Sequence, residues 1–176
     1  MELHPDATLG FLDGASVQNR PNHARMLATP RWEYGQGSGR RTQPLFGFMS
    51  LNGNNCVSPV RQAKTDDLME FMQCIRCANN DGKPIGVVLD NAAIHKAKAV
   101  MEHCCQLDIH LIRLPPYSPS LNPIEYLWKD GKKLLSKTRD FDEAKSKAHD
   151  VFIELMVQRK HSYAKAWKRK FANSIS

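Results

Sequence analysis

The chain has 176 residues, 41% hydrophobic and 24% charged, which suits one domain with a sizeable core and argues against disorder. No apolar run is long enough to span a bilayer, and the first ten residues mix Glu2, His4 and Asp6 with apolar side chains instead of forming a signal peptide. Of the net charge of +7, all lies within residues 129–170, which carry 13 Lys/Arg against 6 Asp/Glu; so local a basic surface favours a polyanionic partner, nucleic acid first, with a solvated helix face as the plain alternative.

From Leu9 the chain alternates, so that Leu9, Phe11, Asp13, Ala15 and Val17 share one strand face and Asp13 lies on its otherwise apolar side. A charge there needs a partner or a metal. Residues 19–41 read as a connection; the Gly35-Gln36-Gly37-Ser38-Gly39 stretch lacks the Gly-Lys-Ser/Thr that a phosphate loop requires. Pro44 to Leu51 and Cys56 to Val60 read as strands of a hairpin around Asn52-Gly53. Thr65 is the expected N-cap of a helix whose buried stripe is Leu68, Phe71, Met72 and Ile75, with Asp66 and Asp67 at its positive end.

Within that helix Cys74-x-x-Cys77 invites a zinc reading together with Cys104 and Cys105. Adjacent cysteines are poor ligands, however, and thiols inside a helix are expected to pack as small hydrophobes. The odd count of five cysteines, without a secretion signal, points to reduced thiols. Ile85 to Leu89 is a central strand buried on both faces, followed by a helix from about Ile94 to Gln106 and a strand from Ile109 to Leu114. After the stiff Pro115-Pro116-Tyr117-Ser118-Pro119 segment, Asn122 is expected to cap a helix that starts with Pro123. Leu127, Trp128, Leu134 and Leu135 form its apolar side despite Gly131. Phe141, Ala144, Ala148, Val151, Phe152, Leu155 and Met156 mark an amphipathic helix, and Tyr163, Trp167 and Phe171 one more helix face.

The element order implies an α/β fold: a five-stranded mixed sheet, three strands in an antiparallel meander plus two parallel crossover strands, flanked by helices. That is the ribonuclease-H-like pattern, in which the first and fourth strands are neighbours. Asp90 follows the buried strand, where ligands of open α/β sheets bind; alternatively Asp90 or Asn91 caps the next helix. Glu125 stands three residues after Asn122, which is capping-box spacing and, taken alone, the simpler reading.

The longer blocks change that balance. Val88-Leu89-Asp90-Asn91-Ala92-Ala93-Ile94-His95 resembles the second-aspartate block of DDE-type transposases. Leu114-Pro115-Pro116-Tyr117-Ser118-Pro119-Ser120-Leu121-Asn122-Pro123-Ile124-Glu125-Tyr126-Leu127-Trp128 is similar to their third-acid block, as found in the mariner superfamily and its prokaryotic insertion-sequence branch. The 34 residues between Asp90 and Glu125 are typical of that superfamily. Phe11-Leu12-Asp13 resembles the first-aspartate strand, with Gly14 where relatives often carry an acid.

The resemblance implies a metal-dependent DNA endonuclease and strand-transfer enzyme. Asp13, Asp90 and Glu125 would be catalytic and would hold two Mg²⁺ or Mn²⁺ ions. Asn91 and His95 are second-tier residues that orient a phosphate or hold Asp90, or are ordinary polar residues at a helix start. Lys129, Lys132, Lys133 and Lys137 follow Glu125 and are candidates for DNA phosphate contacts; Trp128 reads as core. His103 and His110 have no motif support. The expected partners are DNA (transposon ends and target) and a second copy in a homodimer. The expected organisation is a single catalytic domain over 1–176, with a core of about 7–136 and basic C-terminal helices over 137–176. Relatives carry an N-terminal helix-turn-helix region, whereas only twelve residues precede Asp13. A separate helix-turn-helix protein from a neighbouring reading frame is therefore a further expected partner. The expected location is cytoplasmic, at the nucleoid in a prokaryote. A non-catalytic remnant that binds DNA or a full-length transposase, and another ribonuclease-H-like nuclease, are the alternatives.

Overall fold

The computed structural model describes residues 6–18, 41–116, 121–138 and 140–172, the side chains of 160, 161 and 163–172 excepted. The glycine stretch over 35–39, Tyr117 to Ser120, and the side chains of Tyr163, Trp167 and Phe171 lie outside what is described. Five strands, β1 (Thr8–Gln18), β2 (Thr42–Ser50), β3 (Cys56–Pro59), β4 (Ile85–Leu89) and β5 (Ile109–Arg113), form one sheet in the order β3-β2-β1-β4-β5. β1 pairs antiparallel with β2, and β2 with β3. β1 pairs parallel with β4, and β4 with β5. This is the expected ribonuclease-H-like arrangement, with β1 and β4 side by side.

Period-two alternation sorts the strand residues between two helical layers. On one face Phe11, Val17, Leu45, Met49 and Val88 pack under α3 (Ile124–Leu135) and α4 (Phe141–Ala172). On the other, Leu12, Phe46, Phe48, Ile85, Val87 and Leu89 pack against α1 (Thr65–Ala78) and α2 (Lys98–Gln106). The expected stripe Leu68, Phe71, Met72 and Ile75 is the buried side of α1.

Several local expectations are corrected. Lys64, not Thr65, is the N-cap of α1; Asp67 turns back to accept the backbone amides of Arg61, Gln62 and Lys64. The single helix expected from Ile94 to Gln106 is a short 3₁₀ turn, Ala93–Lys96, then α2, separated by Ala97 in extended conformation. Cys74 and Cys77 do not pack inward but are exposed, as is Cys105; only Cys104 is buried, and all five thiols are free. Burial pushes the Cys104 thiol up to about 11. Leu134 is also exposed. The two expected C-terminal helices are one, α4.

Gly131, which lowers helix propensity in α3, has a packing reason. A Cβ there would stand 2.1 Å from the ring of fully buried Phe152 on α4. Ala normally favours a helix over Gly by about 1 kcal/mol, but overpacking costs about 1–3 kcal/mol. Gly131→Ala is therefore expected to lower the urea midpoint at unchanged m-value; a raised midpoint would contradict this packing.

Candidate active site

Asp13 sits in the middle strand of the sheet. β1 and β4 pair up to Phe11 and Val88; extending that register by two residues brings Asp13 beside Asp90, just past the end of β4. Asp13 then points toward the layer of α3 and α4, as Phe11 does, and Asp90 stands exposed just beyond the strand end. Glu125 enters from the first turn of α3. The three carboxylates thus come from separate elements to one end of the sheet, the place that the topological switch between β1 and β4 creates.

Asp13 senses the charges of the other two, and Glu125 senses that of Asp90. Burial, reinforced by the charges of Glu125 and Asp90, pushes the Asp13 carboxyl up to about 6 from an ordinary 3.8, although the Gly14 amide and the Trp128 indole oppose the rise. Glu125 is also raised, by desolvation and by Asp90. Among the described residues, no three His, Cys, Asp or Glu side chains stand close enough to hold a metal ion together. The acids meet as charges, not as a formed ligand set.

Asp90 is exposed, but its orientation is constrained. Its Oδ1 accepts the Ala92 amide at 2.9 Å and lies 2.8 Å from Nδ1 of His95, a side chain only 6% exposed. The Asp90 carbonyl is 3.2 Å from the same nitrogen. Because both oxygens only accept, Nδ1 carries the hydrogen. His95 therefore holds Asp90, one of the roles expected for it; neither Asp90 nor Asn91 caps the next helix, because the 3₁₀ turn has Ala92 and α2 has Ala97 as N-cap, both without a side-chain cap bond. The Asn91 side-chain amide donates to the Leu114 carbonyl at 2.6 Å, tying the ends of β4 and β5.

Asn122 does not cap α3. The helix begins after Pro123 with no side-chain cap bond. Buried Asn122 instead sends its Nδ2 to the Leu12 carbonyl, 3.5 Å away; the partners are 110 residues apart in sequence, beyond any local signal. Sequence reasoning also missed a polar role for Trp128. The residue is core, as expected, but its Nε1 donates to Asp13 Oδ2 at 3.1 Å.

Lys129 and Lys133 are exposed and Lys132 half-buried. They follow Glu125 by four, eight and seven residues, so helical spacing places them along one side of α3. Lys137, also exposed, lies past the end of that helix. No helix among the described residues is long and apolar enough to cross a membrane.

The family profile for DDE superfamily endonucleases matches residues 9–146. Among solved structures, the chain is similar to the pre-cleavage Mos1 transpososome at TM-score 0.64 and 16% identity, with 94% of this chain and 55% of that one covered. It is similar to the Mos1 mariner paired-end complex with Mn at TM-score 0.63 and 16% identity, with 94% and 55% covered. The catalytic domain of Mos1 mariner transposase matches at TM-score 0.60 and 14% identity, with 94% and 81% covered. The chain thus spans about half the length of the chains in the two complexes, and at these identities the likeness is one of fold. No curated protein matches.

The Asp13 shift has a consequence for stability. The folded state holds this proton more tightly than the unfolded chain, whose carboxyl titrates near 3.8. The group's stabilising contribution is therefore complete below about pH 4 and lost as pH rises through about 6. In chelator-treated buffer, Asp13→Asn is expected to be about 2–3 kcal/mol more stable than wild type at pH 7.5. That advantage should shrink toward zero by pH 4 in urea titrations; a gain equal at both pH values would show that desolvation of this charge is not its source.

Proposed function

The chain belongs to the DDE superfamily endonucleases, and from that membership we propose that it is a transposase catalytic domain, cleaving DNA strands with divalent cations and joining a 3′-hydroxyl to target DNA. The observation that carries this reading is the family match over residues 9–146, within which the β1–β4 register brings Asp13 level with the end of β4 that leads into Asp90 and Glu125 stands in the first turn of α3. An acid that serves only solubility is not placed on the apolar face of a central strand, as Asp13 is.

Carboxylates are hard oxygen donors suited to Mg²⁺ or Mn²⁺, and a cation offsets the desolvation, and the smaller repulsion, that raise Asp13 and Glu125. Asp13, Asp90 and Glu125 would hold the ions, the exposed side chains of Asp90 and Glu125 moving to complete the set. When bound, two such ions supply the charge that activates the attacking water or 3′-hydroxyl and stabilises the leaving oxygen. His95 keeps the Asp90 carboxylate aimed. Lys129, Lys132, Lys133 and Lys137 grip backbone phosphates and so offset the anionic site for an anionic substrate. Work on paired transposon ends requires two copies of the domain, so the proposal includes a homodimer.

Nicking of supercoiled plasmid in Mg²⁺ or Mn²⁺ tests the reading. Asp90→Ala and Glu125→Ala are expected to lose more than about 100-fold in rate, as removal of several kcal/mol of transition-state stabilisation implies, while keeping wild-type circular dichroism. Either variant cutting at the wild-type rate would remove that residue from the site. DNA binding without any nicking by wild type would point instead to a non-catalytic remnant. For the lysines, the measurement is the salt dependence of DNA affinity. Each of Lys132→Ala and Lys133→Ala should reduce the log–log slope by about 0.9 per lost phosphate contact, whatever the DNA sequence; unchanged slopes would exclude a phosphate contact.

A further inference from the structure

The tryptophan in the third-acid block occupies a place that packing alone does not require. Trp128 is 4% exposed, and its indole is confined on two sides. Phe152 meets it edge-on, with ring centroids 4.7 Å apart at 84°. Beneath it lies Gly47 of β2, where a Cβ would stand 2.4 Å from Cη2 and 2.6 Å from Cζ2 of the indole. Gly47 is the register partner of Asp13 on β1. The strand next to Asp13 therefore lacks a side chain at the one position where the indole must pass to bring Nε1 within 3.1 Å of Asp13 Oδ2.

A second bond runs parallel to it. Asn122 reaches the carbonyl of Leu12, the residue before Asp13. Glu125 lies three residues after Asn122 and three before Trp128. The start of α3 is thus fastened to consecutive residues of β1 on both sides of Glu125, which sets the rotation of the helix about its axis and the direction in which Glu125 points. Asp13, for its part, has one oxygen held by a donor that cannot ionise or accept.

We propose that Trp128 is a positioning residue: its indole N–H, admitted by the gap at Gly47, orients the Asp13 carboxylate and fixes it relative to Glu125. The inference rests on the functional reading above and deepens it. A residue that orients a metal-ligating carboxylate changes metal affinity by about 10–100-fold when removed, whereas a residue that only fills the core changes stability.

Mn²⁺ binding without DNA, followed by the loss of the free-ion electron paramagnetic resonance signal, separates these cases. Trp128→Phe keeps most of the ring and deletes the donor. With secondary structure retained, it is expected to bind Mn²⁺ at least about 10-fold more weakly than wild type; equal affinity overturns the positioning role. Wild type that binds no Mn²⁺, or binds it equally well after Asp90→Ala, overturns the functional reading itself, so the two failures are distinct. Should Trp128→Phe fold poorly, the indole N–H resonances of the wild-type protein, assigned by replacing Trp32 and Trp167 in turn, give the same answer. The Trp128 resonance is expected to move on Mg²⁺ addition and in Asp13→Asn. A resonance that moves in neither case overturns the proposal.

Discussion

A carboxylate on the apolar face of the middle strand is held against a steep desolvation penalty, and much of the surrounding structure is arranged around that fact. The Gly14 amide and the Trp128 indole stabilise the charged form of Asp13, while burial and the charges of Glu125 and Asp90 oppose it. The balance is unfavourable to the anion, so the fold carries a site that is not at its own stability optimum, as functional sites often do. Delivering the indole needs a gap on β2 at Gly47, and confining it needs Phe152 on α4, which in turn needs the absence of a side chain at Gly131 on α3. Two glycines in different elements are thus linked through two aromatic rings to one carboxylate.

The two faces of the sheet serve different ends. The α1/α2 face is an apolar layer in which Leu12, Phe46, Phe48, Val87 and Leu89 meet Phe71, Met72 and Ile75. The α3/α4 face contains the same kind of core, but at its edge the Trp128 indole on α3 meets the Asp13 carboxylate on β1, with Glu125 in the first turn of the same helix. Asp90 joins them because β4 runs parallel to β1 and ends at the same level. An antiparallel β4 would deliver its carboxyl end to the opposite edge of the sheet, so the crossover connection through α1 is what makes the meeting of Asp13 and Asp90 geometrically possible.

Most of the architecture was readable in the chain because it is written in local periodicities. The alternation from Leu9 to Val17 placed Asp13 on the correct face, and the uninterrupted apolar run Ile85 to Leu89 identified an interior strand. What was not readable depended on partners far away in sequence. Asn122 has the composition and position of a cap, yet its amide is spent on Leu12, 110 residues earlier. Cys74 and Cys77 lie in a helix as expected, but a helix has two sides and residue type alone did not say which one they occupy. The indole N–H of Trp128 was hidden for another reason. Tryptophan is large enough to be explained by core filling, and the signal that it does more is the missing side chain at Gly47, meaningful only once the register pairs Gly47 with Asp13.

Charge along α3 shows how little such layout decides by itself. Glu125 lies in the first turn, and Lys132 and Lys133 in the last, the distribution that a helix dipole favours in any surface helix. A solvated helix would carry the same pattern and need no substrate. What separates the two readings is the environment of the acid. A glutamate serving only the dipole would keep its carboxyl at an ordinary value, whereas Glu125, although exposed, is raised by desolvation and by Asp90, a residue on another element. On the proposed reading the lysines would add to this, since a row of cations beginning one turn after Glu125 suits a polyanion that must be brought to an anionic centre.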